Sequence, residues 1–253
     1  MMQGAQIAIL DIAETQSEHI PPVPTIKYFK CNISDSSSVD STIKAVADAF
    51  GHIDILVNCA GVMDGMERPD ALTNEKWDKV MSVNVNGPFY TTRAVVPYFL
   101  KNERTPLEGS LPEYDIKGQQ HEASPPSKGV IVNIASAAAM GGASAGAAYT
   151  ASKHALLGLS RSTSWGYRND GIRCNTVLPG GVATNIYQNS GAYMDETGYA
   201  KVKPYHDLQP ERLLGGGDIA SAVLWLAMPV NKNINGAEVV VDGAWGVSWS
   251  RNR

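Results

Sequence analysis

Six short apolar runs recur along the chain, and four of the five gaps between them carry helical periodicity. Ala5–Leu10, Thr25–Phe29, Asp54–Asn58, Gly129–Ala135, Ile172–Leu178 and Ala237–Val241 are partly β-branched and bounded by Gly, Asp, Asn or Pro, so they read as buried strands. Between them, Ser36–Phe50 opens on residues suited to a cap, and Asn74–Leu100 repeats apolar positions at intervals of three and four. Ala147–Tyr167 and Gly217–Ala227 continue the helical rhythm. Strands alternating with helices imply parallel pairing through right-handed crossovers. The expected fold is therefore α/β: a doubly wound, mostly parallel sheet with helices on both faces. No internal repeat or linker divides residues 1–253, so a single domain is expected.

Two stretches depart from that rhythm. Asn102–Ser127 is polar and Pro-containing without either period, which suits a surface insertion. Asn185–Pro210 follows a Pro-Gly turn and is rich in Tyr and Gly, a composition suited to a flexible substrate flap.

The 253 residues are 43% hydrophobic, enough for one sizeable core. With 21 basic against 25 acidic residues, the net charge of −4 argues against a nucleic-acid partner. No apolar run reaches the roughly 18 residues needed to span a bilayer, and the first residues lack the basic flank and cleavage site of a signal peptide. A soluble, cytoplasmic protein is expected. Cys31, Cys59 and Cys174 are odd in number and widely spaced, which supports reduced thiols rather than a disulfide framework or a metal site.

The chemistry-bearing residues cluster in the middle of the chain. Tyr149 and Lys153, four apart at the start of a helical run, share one helix face. An ammonium beside a phenol favours phenolate and moves it toward the acidity a general acid/base for an alcohol or ketone requires. Such a pair is common by itself, so its neighbours matter. Ser136 ends the run Gly129–Ala135, and open α/β sheets place ligands at the carboxyl ends of their strands. Its hydroxyl suits a carbonyl oxygen, although many serines so placed only bond their own turn. Pro179, Gly180, Val182 and Thr184 follow the next strand, and Asn58, Cys59, Ala60 and Gly61 follow an earlier one with small residues that let a ligand approach the backbone.

Taken together, these residues resemble the short-chain dehydrogenase/reductase family, from about Gly4 to Gly246. Asn58-Cys59-Ala60-Gly61 is similar to the family's Asn-Asn-Ala-Gly turn, with Cys59 in the second position. Asn84 resembles the asparagine that holds a water in the proton relay. Ser136, Tyr149 and Lys153 resemble the catalytic serine, tyrosine and lysine, and Val241–Gly246 resembles the closing strand and turn. The resemblance implies a Rossmann-like fold and an oxidoreductase in which Tyr149 exchanges the hydroxyl proton and Lys153 binds the nicotinamide ribose. It also implies that Ser136 holds the substrate oxygen and Asn84 orders the relay water. Asn58, Ala60, Gly61, Pro179, Gly180, Val182 and Thr184 would line the cofactor site, with Asn32 and Ile33 beside the adenine, where the family usually has Asp at the position of Asn32. Asp11 resembles the acidic residue that bonds the adenosine ribose, which favours NAD over NADP; capping the following turn is the alternative. Helices around Asn84 and Tyr149 resemble the family's oligomer-forming pair, implying a homodimer or homotetramer. A small alcohol or ketone, medium-sized and partly apolar, is the implied substrate.

The family pattern begins with a strand, a glycine-rich turn and a helix whose amide end receives the cofactor pyrophosphate. Met1 falls near the end of that first helix, so roughly thirty residues of the pattern have no counterpart here. In the family's strand order the first strand is central, and its absence is expected to leave unpaired edges on both neighbours or force them to pair. Three readings follow: a redox enzyme, an isomerase, dehydratase or cyclase using the same acid/base residues, and a non-catalytic interaction protein.

Overall fold

A computed structural model describes residues 5–14, 23–103, 113–114, 117–121, 127–186 and 194–248. All six expected strands form: β1 (Ile7–Asp11), β2 (Ile26–Lys30), β3 (Ile55–Asn58), β6 (Gly129–Ile134), β7 (Ile172–Pro179) and β8 (Glu238–Val241). Two further strands, β4 (Glu113–Tyr114) and β5 (Gln120–His121), form a small antiparallel hairpin inside the expected insertion, much of which lies outside the described residues. The helices are α1 (Ser36–Phe50), α2 (Asn74–Met81), α3 (Gly87–Lys101), α4 (Ala147–Gly166), α5 (Glu196–His206) and α6 (Gly216–Ala227). Helix α5 falls in the stretch read as a flexible flap; of that stretch, residues 187–193 lie outside the described residues.

Local chemistry accounts for the helix limits. Asp35 accepts from Ser37 N at 2.9 Å to cap α1, and the Ser37 hydroxyl together with that amide lowers its pKa. Gly51, at φ 83°, ends α1 by donating its N–H to Ala47 O. The long run Asn74–Leu100 forms helix throughout but changes register: Ser82–Asn86 is a π-helical turn between α2 and α3.

Outside the hairpin the strands are parallel and form two separate bodies of sheet. One is β1–β2, in register from Ile7 opposite Ile26 to Asp11 opposite Lys30. The other has the order β3–β6–β7–β8. Among the described residues β1 and β3 do not pair, so each keeps an unpartnered edge, which is one of the two outcomes expected from the sequence.

Strand alternation sorts the core into two layers. Ile131, Ile172 and Cys174 pack with Val95, Val96 and Phe99 of α3, while Leu178 packs with Leu156 and Leu157 of α4. On the opposite face Val130, Val132 and Val177 pack under Leu226 of α6. Gly129 is required beneath α3, because a methyl there would lie 2.1 Å from the Phe99 ring. The coverage is uneven: Leu56 joins the α3 layer, but Ile55 and Val57, pointing the other way, are 46% and 41% exposed.

Two buried polar devices tie the layers together. Asn58 donates to Asn133 Oδ1 at 2.8 Å and accepts from Thr91 Oγ1 at 2.6 Å, while Asn133 donates to Ser160 Oγ at 2.7 Å. One ladder thus joins β3, β6, α3 and α4. Arg173, buried on β7, donates to the carbonyls of Leu226 and Ile234 at 2.8 and 3.0 Å, holding the end of α6. Burial lowers its pKa.

The open edge of β3 gives a test. Val57→Lys is expected to reduce concentration-dependent self-association measured by light scattering, with the unfolding free energy from urea melts changed by no more than about 0.5 kcal/mol. Unchanged association would place the sticky surface elsewhere.

Candidate active site

The carboxyl ends of β3, β6 and β7 lie side by side, and the segments leaving them carry most of the residues singled out in the sequence. β3 leads into Cys59-Ala60-Gly61, β6 into Ser136, and β7 into Gly180–Thr184. Helix α4 packs against β7 and brings Tyr149 and Lys153 to the same place.

Lys153 is 3% exposed, with Nζ 5.4 Å from the centroid of the Tyr149 ring and donating to Ile134 O at 2.9 Å. The pair expected from four-residue spacing is thus formed. Burial pushes the Lys153 pKa down to about 8, offset in part by the nearby Cys59 thiol. Gly61 is close enough that a methyl there would sit 3.5 Å from Lys153 Nζ and 3.4 Å from Asn84 Oδ1.

Asn84 lies in the π-helical turn and is wholly buried. Its amide accepts from Val62 N at 2.9 Å and donates to Val62 O at 2.8 Å and Ser152 Oγ at 3.0 Å. The side chain therefore fastens the turn after β3 to α4. Ser152 Oγ in turn donates to Tyr149 O at 2.7 Å. Asn84, Gly61, Tyr149 and Lys153 form one connected group.

Ser136 caps a short 3-10 turn, its hydroxyl accepting from Ala138 N at 3.1 Å. Acceptance of one N–H leaves the hydroxyl proton to be directed elsewhere. Asn58 is engaged within the polar ladder, so its side chain holds the strand end rather than facing outward. Ala60 is exposed and Gly61 half-buried. Pro179 ends β7, Gly180 donates its N–H to Val241 O at 2.9 Å, Val182 bridges to Leu214, and Thr184 is exposed. Asp11 ends β1, exposed, with one carboxylate oxygen accepting from Ala13 N at 2.9 Å. Asn32, exposed, accepts from Ser34 N at 3.1 Å, whereas Ile33 packs inward toward Gly87. Asp11, Asn32 and Ile33 therefore stand with the β1–β2 body, and the remaining residues with the larger sheet.

Sequence reasoning missed the segment Met63–Glu67, buried throughout. Asp64, 3% exposed, accepts from Tyr149 N at 3.0 Å, and Glu67 O accepts from Ala147 N at 3.0 Å. One signal was available: α4 starts after Gly146, which has no side chain to cap it, so the cap must come from elsewhere. The closing turn read from Val241–Gly246 also has a partner, since Trp245 Nε1 donates to Tyr205 O at 2.6 Å on α5.

Comparison with known proteins gives this arrangement its context. Residues 1–106 match the family model described as short chain dehydrogenase, and residues 118–246 match that described as enoyl-(acyl carrier protein) reductase. The short-chain dehydrogenase/reductase olcF of Penicillium canescens is 34% identical over 97% of this chain and 88% of its own length. The chain belongs to the short-chain dehydrogenase/reductase family. Short chain dehydrogenase trt9 of Aspergillus terreus is 32% identical over 96% of this chain and 97% of its own. Among solved structures, a 3-ketoacyl-(acyl-carrier-protein) reductase from Brucella melitensis complexed with NADH superposes with a TM-score of 0.77 at 25% identity, over 97% of this chain and 89% of that one. Levodione reductase, at a TM-score of 0.76 and 24% identity over 98% and 90%, shares the fold. This short-chain dehydrogenase/reductase is thus an α/β protein of Rossmann type and of an oxidoreductase family. No helix among the described residues is long and apolar enough to cross a membrane.

The residues present fit the nicotinamide half of such a family member's cofactor. A buried ammonium has three donors, and a ribose hydroxyl beside Gly61 suits those of Lys153 not taken by Ile134 O.

Burial of Lys153 has a stability consequence with a definite sign. Below pH about 8 the ammonium persists in both folded and unfolded chains, and its burial opposes folding. Between about 8 and the ordinary value of 10.5 the folded form sheds the proton first, so this opposition fades as pH rises. Lys153→Met is therefore expected to stabilise the fold at pH 7 by on the order of 1–3 kcal/mol, the lost hydrogen bond to Ile134 O offsetting part of the relieved desolvation, with the gain shrinking toward pH 10 in urea melts. A destabilised variant at pH 7 would mean that hydrogen bonding outweighs desolvation.

Proposed function

We propose that this chain interconverts an alcohol and a ketone using a nicotinamide cofactor. The observation that supports this most is the Tyr149–Lys153 pair on α4, with the buried ammonium 5.4 Å from the phenol ring. A cation there favours phenolate, so Tyr149 takes the hydroxyl proton in oxidation and returns it in reduction. Ser136 donates its hydroxyl proton to the substrate oxygen. Asn84 keeps the turn at Gly61 against Lys153, and its π-helical turn leaves backbone carbonyl capacity for a relay water. A bound nicotinamide supplies or accepts the hydride.

The cofactor assignment draws on the NADH held by the Brucella melitensis relative in structure. Gly61, Ala60, Pro179, Gly180, Val182 and Thr184 would line the nicotinamide end, and Lys153 would bind its ribose. Asp11, with Asn32 and Ile33 nearby, would receive the adenosine, and its carboxylate would repel a 2′-phosphate, favouring NAD over NADP. The substrate we assign is a small, partly apolar hydroxy or keto compound, since Met63, Met66, Val202, Ile186 and Tyr199 surround Tyr149. A homodimer or homotetramer in the cytoplasm is proposed, joined through α3 and α4, where Phe89 and Trp165 are 44% and 69% exposed.

A second reading, a non-redox enzyme using Tyr149 and Ser136, is supported by the same Tyr149–Lys153 pair, whose acid/base chemistry does not itself require a dinucleotide. Titration separates the two. NADH fluorescence should saturate, Tyr149→Phe should remove turnover while leaving the NADH Kd within about twofold, and NADPH should bind at least about tenfold more weakly. No saturable binding of either dinucleotide at millimolar concentration would overturn the redox reading.

A further inference from the structure

A helix begins with backbone N–H groups that lack partners within it, and α4 begins on a residue that cannot supply one. Gly146 occupies the cap position and has no side chain to offer. The groups are nevertheless satisfied, by a segment 80 to 85 positions earlier in the chain. Asp64 Oδ2 accepts from Tyr149 N at 3.0 Å and the same carboxylate accepts from Ala148, while Glu67 O accepts from Ala147 N at 3.0 Å.

The fit is tight on both sides. A methyl on Gly146 would lie 2.2 Å from Asp64 Oδ1, so the space a capping side chain would occupy is filled by the foreign carboxylate. Asp64 is itself held: its Oδ1 accepts from Met66 N at 3.2 Å, and Met66 stands at φ 63°, a strained conformation for a residue with a side chain. Gly65 N donates to Glu67 Oε2 at 3.2 Å, and Glu67 pairs with Lys76 of α2. Upstream, the amide of Asn84 grips Val62 from both sides. Burial, with a smaller contribution from nearby Glu67, raises the Asp64 pKa, and the backbone hydrogen bonds from Tyr149, Met66 and Ala148 offset only part of that rise.

We propose that Asp64 is a positioning residue for Tyr149, fixing the phenol by capping the start of α4 from the turn after β3. The backbone atom it grips belongs to Tyr149 itself, so a shift of the carboxylate is transmitted to the phenol without an intermediary. The same turn reaches the other wall of the site. Asp195 N donates to Gly65 O at 2.7 Å, and Gly198 packs so closely on Met66 O that a methyl would lie 2.0 Å from it. Tyr149 and α5 are thereby referenced to one rigid segment.

The proposal rests on Tyr149 being the acid/base group, and its test has a readout independent of turnover. With 13Cζ-tyrosine incorporated into the full chain and the Tyr149 signal assigned from Tyr149→Phe, Asp64→Ala should displace or broaden that signal. Asp64→Asn, whose amide oxygen still accepts an N–H, should restore it. Gly146→Ala, which pushes the carboxylate aside without removing it, should reproduce the Asp64→Ala signature. In a dehydrogenase assay Asp64→Ala should lower kcat by about 10- to 100-fold with KM within about twofold, and Asp64→Asn should recover most of the loss. A Tyr149 signal unmoved in both Asp64→Ala and Gly146→Ala overturns the proposal, as does Asp64→Asn behaving no better than Asp64→Ala. Absence of turnover in the unmodified protein counts against the redox reading alone, because the tyrosine signal still reports the cap.

Discussion

An amide with no access to water must find its partners inside the protein, and Asn84 imposes that demand at the centre of this molecule. Its helix cannot satisfy it, so the chain leaving β3 is drawn in until Val62 meets it through both N–H and C=O. From that fixed point Gly61 is set against Lys153 on one side and the buried segment Met63–Glu67 follows on the other. The phenol of Tyr149, the ammonium of Lys153 and the wall formed by α5 all take their places from this one satisfied amide. The local change to a π-helical turn is part of the same solution.

Much of this was legible in the sequence. Hydrophobic period and turn residues located the six principal strands and the main helices, α1 from Ser36 to Phe50 included, because burial on a pleated or helical surface leaves a repeating mark. Four-residue spacing placed Tyr149 with Lys153 for a similar reason. Other features leave no such mark. The hairpin of β4 and β5 is too short to show alternation, and the regular turns of α5 contain Pro204, a residue that weakens any helical reading.

The site was legible only where a residue's role depends on its own position. Likeness to a motif marked Asn84 as a candidate but said nothing of how three protein groups would surround its side chain. Asn58 similarly read as a cofactor residue, while its side chain joins Asn133 and Thr91 across the layers. Asp64 went unnoticed since its meaning depends on Gly146, and contact between distant segments cannot be read from spacing. The edges that β1 and β3 leave unpaired among the described residues are, by contrast, one of the two outcomes that strand order allowed, a property of topology rather than of side chains.

The close fit between Gly146 and the carboxylate that fills its missing side chain has a bearing on protein engineering. Exchanging the stretch around Tyr149 with that of a relative would import a new helix start while leaving the old acceptor facing it, so chimeras joined between the two would inherit a mismatch. Grafts that carry both stretches together would keep lock and keyhole matched.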